Sequence, residues 1–260
     1  MVADDLDARA AFAATLARDA GALALRYFHR ELDYVAESKA QAQDWVSIAD
    51  RSVETLCRER VAAAFPGDTM FGEEAGGVIS ARTWLVDPID GTLNFVHGVR
   101  YWCVSVVFVE HGVRRIAAVY DPPHDELFFA TEGGGATVNG QPMQVSSCAS
   151  MARALVMHGY VNRHDLDASL RVRRALIESG AEVKDCGAGA LMLAHVAAGR
   201  FDAYLEPHMN PWDASAGLLL VEEAGGRILP YPGERSLAAG GAVLASTPEL
   251  FAPLRDAAGW

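Results

Sequence analysis

Apolar residues recur at helical spacing near the start of the chain: Phe12, Leu16, Ala20, Leu23 and Tyr27 fall on one stripe and predict an amphipathic helix over 8–28. A second helix is expected to start between Ser47 and Asp50 and to run to Ala64, where Pro66-Gly67-Asp68 stops it. The period then shortens. Runs at 83–86, 104–109, 116–120 and 126–130, rich in β-branched and aromatic residues, predict a meander of paired strands. Gly133-Gly134-Gly135 lies between a strand and Thr137-Val138-Asn139-Gly140 with no helix behind it, so it reads as a turn between strands rather than a phosphate loop. Beyond about Val145 the expected order is strand, helix, strand, helix, over 154–159, 170–179, 190–199 and 214–224.

This change of pattern divides the chain into 1–148, an N-terminal α+β domain with an antiparallel sheet, and 149–260, a C-terminal α/β domain. With 51% apolar residues over 260 positions the chain can bury a large core. No internal repeat or low-complexity linker separates the halves, so they are expected to pack tightly and share a cleft. The excess of 34 Asp plus Glu over 22 Lys plus Arg, a net charge of -12, argues against nucleic acid as the main partner. Some of that acidity is of the kind a multi-metal site concentrates. Asp4, Asp5 and Asp7 stand where a signal peptide would be basic, and no stretch suggests a membrane span. Cys57, Cys103, Cys148 and Cys186 are widely spaced, as reduced structural thiols are, and a cytoplasmic protein is expected.

The most informative segment is Asp87-Pro88-Ile89-Asp90-Gly91-Thr92-Leu93-Asn94-Phe95, placed where a strand ends and a short helix begins. Asp87 and Asp90 can converge on one point while the Ile89 carbonyl offers a further hard oxygen, a donor set that suits magnesium. Gly91 admits close backbone approach, and the Gly91 and Thr92 amides could cradle a phosphate. Asp, Pro and Gly also favour ordinary surface turns, so the segment alone does not decide. Two further groups of acids strengthen the metal reading: Phe71-Gly72-Glu73-Glu74, and Trp212-Asp213-Ala214-Ser215-Ala216-Gly217 at the start of an apolar helix ending at Gly225-Gly226. Asp213 could be a helix N-cap, a cation ligand, or both.

Taken together, these segments resemble the inositol monophosphatase family, part of the superfamily of lithium-sensitive, magnesium-dependent phosphatases. The resemblance covers nearly the whole chain, with three separated motifs in the family's order. It implies an α+β fold, a layered αβαβα sandwich of the inositol monophosphatase and fructose-1,6-bisphosphatase type, and a homodimer. It implies that Glu73, Asp87 and the Ile89 carbonyl hold one Mg2+, that Asp87, Asp90 and Asp213 hold a second, and that Glu73 helps hold a weaker third, with Li+ inhibitory. Thr92 and Glu73 would orient or deprotonate the attacking water. Asp50, at the end of Asp44-Trp45-Val46-Ser47-Ile48-Ala49-Asp50, would support them. In-line attack without a phosphoenzyme is expected, because the motif supplies metal ligands and a water-positioning hydroxyl rather than a nucleophile.

The substrate would contact Asp90, Gly91, Thr92 and Asp213, together with a recognition segment that here reads Lys184-Asp185-Cys186-Gly187-Ala188-Gly189-Ala190. In the family this segment carries an Arg where Lys184 stands and a hydroxyl residue where Ala188 stands; Gly187 and Ala188 are retained as contacts. Glu206 is either a ligand for a substrate hydroxyl or an exposed acid. His208 could approach the substrate, His97 is expected to pack or hydrogen-bond beside the catalytic turn, and Trp84, Trp102 and Trp212 to form core or cleft walls. The implied reaction is hydrolysis of a small phosphate monoester resembling inositol 1-phosphate, with histidinol phosphate, sugar phosphates and nucleotide 3'-phosphates as alternatives. A regulatory protein acting with the transcription machinery is the reading from another class. Nucleotide-dependent oxidoreduction is disfavoured, since no glycine-rich strand-to-helix fingerprint is present.

Overall fold

The computed structural model describes residues 2–33, 36–38, 45–160 and 165–260. The helices are α1 (Val2–Phe28), α2 (Ile48–Ala64), α3 (Thr92–Val96), α4 (Leu166–Glu178), α5 (Gly189–Ala197), α6 (Pro211–Glu223) and α7 (Pro248–Ala258). A small antiparallel pair, β1 (Ala36–Ser38) and β2 (Trp45–Ser47), precedes α2; Asp44 lies outside the described residues.

The larger sheet contains β3 (Thr69–Gly72), β4 (Gly76–Gly77), β5 (Arg82–Asp90), β6 (Cys103–Glu110), β7 (Val113–Asp121), β8 (Glu126–Thr131), β9 (Gly135–Val138) and β10 (Gln141–Pro142). Its order is β10-β9-β8-β7-β6-β5-β3-β4, antiparallel except for the parallel pair β3 and β5. The expected meander is present, and Gly133-Gly134-Gly135 does form the turn from β8 into β9. The sheet is mixed rather than wholly antiparallel, because β4 folds back on the outer edge of β3 and returns the chain to pair beside β3 in the same direction.

The smaller sheet contains β11 (Leu155–His158), β12 (Glu182–Lys184), β13 (Ala203–Met209), β14 (Arg227–Ile228) and β15 (Gly241–Ser246), in the order β12-β11-β13-β15-β14. Residues 190–199, expected as a strand, are largely helix α5. A short, fully buried apolar run has no readable period, and the Ala, Leu and Met of this one favour a helix.

The layers follow from which faces are apolar. On α1, Ala13, Leu16, Ala17, Ala20 and Ala24 are buried at helical spacing and meet the outer face of the larger sheet through Val104, Val106 and Tyr120. Helix α6 is apolar on every side, with Ala214 to Val221 all buried, as a helix between two sheets must be. It lies beside α5, with Gly217 against the Leu193 side chain, and the two fill the space between the sheets. Truncating a leucine in that layer, such as Leu220, would cost about 3 kcal/mol. Helices α4 and α7 cover the far side of the smaller sheet. The result is an α+β sandwich of five layers.

Candidate active site

Side chains three apart on a regular strand face opposite sides of a sheet. Asp87 and Asp90 escape that rule because Asp87 pairs with Ser105 and Asp90 with Cys103, so β5 carries one more residue than β6 between the two pairs. This bulge turns both carboxylates to the inner face. The Ile89 amide donates to Asp87 Oδ1 at 2.9 Å, tightening the loop, while the Ile89 side chain is buried on the outer face. Thr92 Oγ1 lies 3.0 Å from the Ile89 carbonyl and 3.2 Å from Asp50 Oδ1, and its one proton serves either acceptor. Gly91 turns the chain with φ 88°, where a Cβ would stand 2.9 Å from that of Ala188.

Glu73 is positioned from behind. Glu54 of α2 is 2% exposed, and its carboxylate accepts from the Glu74 amide at 2.6 Å, the Ala75 amide at 3.0 Å and Arg58 at 2.6 Å. Only a glycine at position 72 leaves room for that carboxylate, since a Cβ there would lie 2.5 Å from Glu54 Cδ. Asp213 arrives from α6. Asn210, not Asp213, caps this helix, Pro211 follows it, and Asp213 in the third position accepts from the Asn210 amide at 3.3 Å. The cap reading of Asp213 is therefore replaced by a capping-box partner whose side chain also lines the cleft.

Glu73, Asp87 and Asp213 bring carboxylate oxygens within 4.8 Å of one another. Asp90 stands beside them, but its oxygens also accept from the Gly189 and Leu191 amides of α5, both at 3.1 Å, and Oδ2 from the Cys103 thiol at 3.5 Å, so it anchors α5 as well as lining the cleft. Burial, and then the charges of Glu73, Asp213 and Asp90, hold Asp87 well above the usual carboxylate range. Burial and the charge of Asp213 push Asp90 up to about 7. Such crowding of like charges is stable only with protons or a cation among them, and all the donors are hard oxygens.

The acids line one open cleft of about 230 Å³, together with Ile89, Gly91, Thr92, Gly187, Ala188 and Glu206. Asp50 stands behind Thr92 rather than on the wall. Glu206 is buried, not an exposed acid, and burial pushes it up to about 8. Lys184 is exposed and pairs with Glu182 at 2.7 Å, away from the cleft. His208 is not on the wall and His97 is exposed rather than packed. The buried Trp84 and Trp102 are core, and half-buried Trp212 lies 5.4 Å from Phe71. Glu54, Asp185, Tyr204 and Met209 were not singled out by sequence; the Gly72-Glu73 turn gives no sign of the α2 acid behind it, whereas the alternation of Tyr204 with Glu206 on one strand could have been read.

A model of the inositol monophosphatase family matches residues 5–258. The chain belongs to the inositol monophosphatase family. It is 36% identical over 247 residues to the Nus factor SuhB of Pseudomonas aeruginosa, covering 92% of this chain and 91% of that one. It is 34% identical over 247 residues to the inositol-1-monophosphatase of Rhizobium meliloti, covering 93% and 90% of the two chains. The Thermotoga maritima IMPase superposes with a TM-score of 0.87 at 30% identity over 96% of both chains. The chain thus combines membership of this family with an acid cluster whose oxygens could hold a metal ion. Among the described residues no helix is long and apolar enough to cross a membrane, and all four cysteines are free thiols.

Proposed function

We propose that the protein hydrolyses a small phosphate monoester resembling inositol 1-phosphate, using two to three Mg2+ held by Glu73, Asp87, the Ile89 carbonyl, Asp90 and Asp213. The convergence of Glu73, Asp87 and Asp213 oxygens within 4.8 Å is the observation that carries this reading. Ions bound there supply neutralising charge for the phosphate and lower the pKa of water. Thr92, whose proton goes to Asp50 or the Ile89 carbonyl, accepts a hydrogen bond from the attacking water, and Glu73 takes the water's other proton. The Gly91 and Thr92 amides orient the phosphate. Glu206, with Gly187 and Ala188, lines the side where the alcohol leaves.

Phosphate release from inositol 1-phosphate, histidinol phosphate, a sugar phosphate and a nucleotide 3'-phosphate, each with magnesium, with chelator and with added lithium, tests the proposal. Turnover that requires magnesium and falls with lithium is expected, and no magnesium-dependent turnover of any of them sinks it. We also propose a cytoplasmic homodimer, in line with the family resemblance.

The similarity to proteins named Nus factor SuhB favours a second reading, a regulatory contact with the transcription machinery. An Asp213→Asn protein that loses phosphate release yet still binds RNA polymerase would support it. If binding is absent from the parent protein, this second reading fails.

A further inference from the structure

Tyr204 and Glu206 are two apart on β13 and therefore share its inner face. Tyr204 is fully buried, and its hydroxyl donates to Glu206 Oε2. The backbone comes close to that hydroxyl at two glycines: a Cβ on Gly159 would lie 2.6 Å from it, and one on Gly189 would lie 3.1 Å from it. Gly159 also closes on the carboxylate, since a Cβ there would stand 2.3 Å from Glu206 Oε2. Gly159, just past the end of β11, and Tyr204 thus close on one carboxylate oxygen, while Gly189 at the start of α5 backs the tyrosine hydroxyl. The other oxygen, Oε1, has no protein partner among the described residues and belongs to a side chain that lines the cleft.

Resting on the phosphatase reading above, we propose that Tyr204 is a positioning residue: its hydroxyl fixes Glu206 so that Oε1 accepts a hydrogen bond from a hydroxyl of the leaving alcohol. Burial places Glu206 in a setting where a loose carboxylate would turn away or stay neutral, and the tyrosine hydrogen bond opposes both. One hydrogen bond of this kind contributes enough to shift affinity up to about tenfold. The Tyr204 hydroxyl bonds to Glu206 rather than to Glu73, Asp87 or Asp213, so its effect belongs to recognition of the alcohol rather than to the chemical step.

The test compares Tyr204→Phe, Glu206→Ala, the double variant and the parent, on a polyol phosphate and on p-nitrophenyl phosphate, whose leaving group has no hydroxyl to be read. Tyr204→Phe should raise KM for the polyol phosphate about tenfold, change kcat less than about twofold, and leave p-nitrophenyl phosphate turnover unaffected. The double variant should be no worse than Glu206→Ala, because the tyrosine acts only through that carboxylate. Should Tyr204→Phe fail to fold, Gly159→Ala displaces the same carboxylate and should give the same KM effect. Equal losses on both substrates, or additive effects in the double variant, overturn the proposal while leaving the phosphatase reading intact. If the parent turns over neither substrate, both fall.

Discussion

Replacing Asp213 with Asn removes one of three crowded charges but keeps the side chain's size and its ability to accept from the Asn210 amide. The Glu73, Asp87 and Asp213 oxygens lie within 4.8 Å of one another. At such a distance two full charges repel by about 3.5 kcal/mol for an effective dielectric of ~20. Partial protonation, and solvent around half-buried Glu73 and Asp213, reduce the relief from the substitution to about 1–3 kcal/mol. Loss of the negative charge in the first turn of α6 offsets about 0.5 kcal/mol of that. The ion-free variant should therefore be more stable than the parent by about 1–2 kcal/mol, which for a chain of this size raises the melting temperature by about 3–6 °C. Thermal melts in chelator and across a magnesium titration provide the assay. Magnesium should stabilise the parent by mass action and the variant much less, so their order reverses as the ion is added. A variant that melts below the parent in chelator, and gains as much from magnesium as the parent does, refutes the reasoning.

Removing the buried acid behind Glu73 with Glu54→Ala should cost about 3 kcal/mol in urea denaturation, because two amides and Arg58 lose their acceptor, and should raise the magnesium needed for half-maximal activity at least about tenfold. An unchanged magnesium dependence would show that the Gly72-Glu73 turn holds itself. Gly91→Ala demands a positive φ of an L side chain and a contact 2.9 Å from the Ala188 Cβ, so a loss of about 2–3 kcal/mol and of activity is expected by the same denaturation assay. Asp90 at about 7 and Glu206 at about 8 keep protons in the fold that the unfolded chain has already released, so stability in chelator should fall as pH rises from about 5 to 8, by up to about 1.4 kcal/mol per pH unit for each proton, and level off once both folded groups are ionised. Saturating magnesium, which competes with those protons, should flatten the slope; a chelated protein whose melting temperature rises over this range contradicts the assignment.

What the sequence determined by itself was local. Periodicity defined α1, a Pro-Gly-Asp stop bounded α2, and runs of β-branched and aromatic residues marked four strands of the larger sheet, β5 to β8. The three acidic segments were legible because Asp, Pro and Gly in close order report a turn, and hard acids beside it report a cation. The tertiary structure alone decided the rest. Only pairing with β6 reveals that β5 bulges between Asp87 and Asp90 and turns both carboxylates inward. Only packing shows that 190–199 is a helix, because a segment buried on all sides has no polar face to give it a period. Asp213 was expected as a possible cap, but Asn210 takes that place, and the difference rests on backbone angles that neighbouring residue types leave open. Glu54 holds the turn at Glu74 from 20 positions away in the chain, and no local signal carries such a contact, whereas Tyr204 and Glu206, two apart on one strand, were legible as a pair. Side-chain chemistry is written in the sequence, whereas the distances that make acids share a cation or a tyrosine hold a carboxylate are set by how the layers pack.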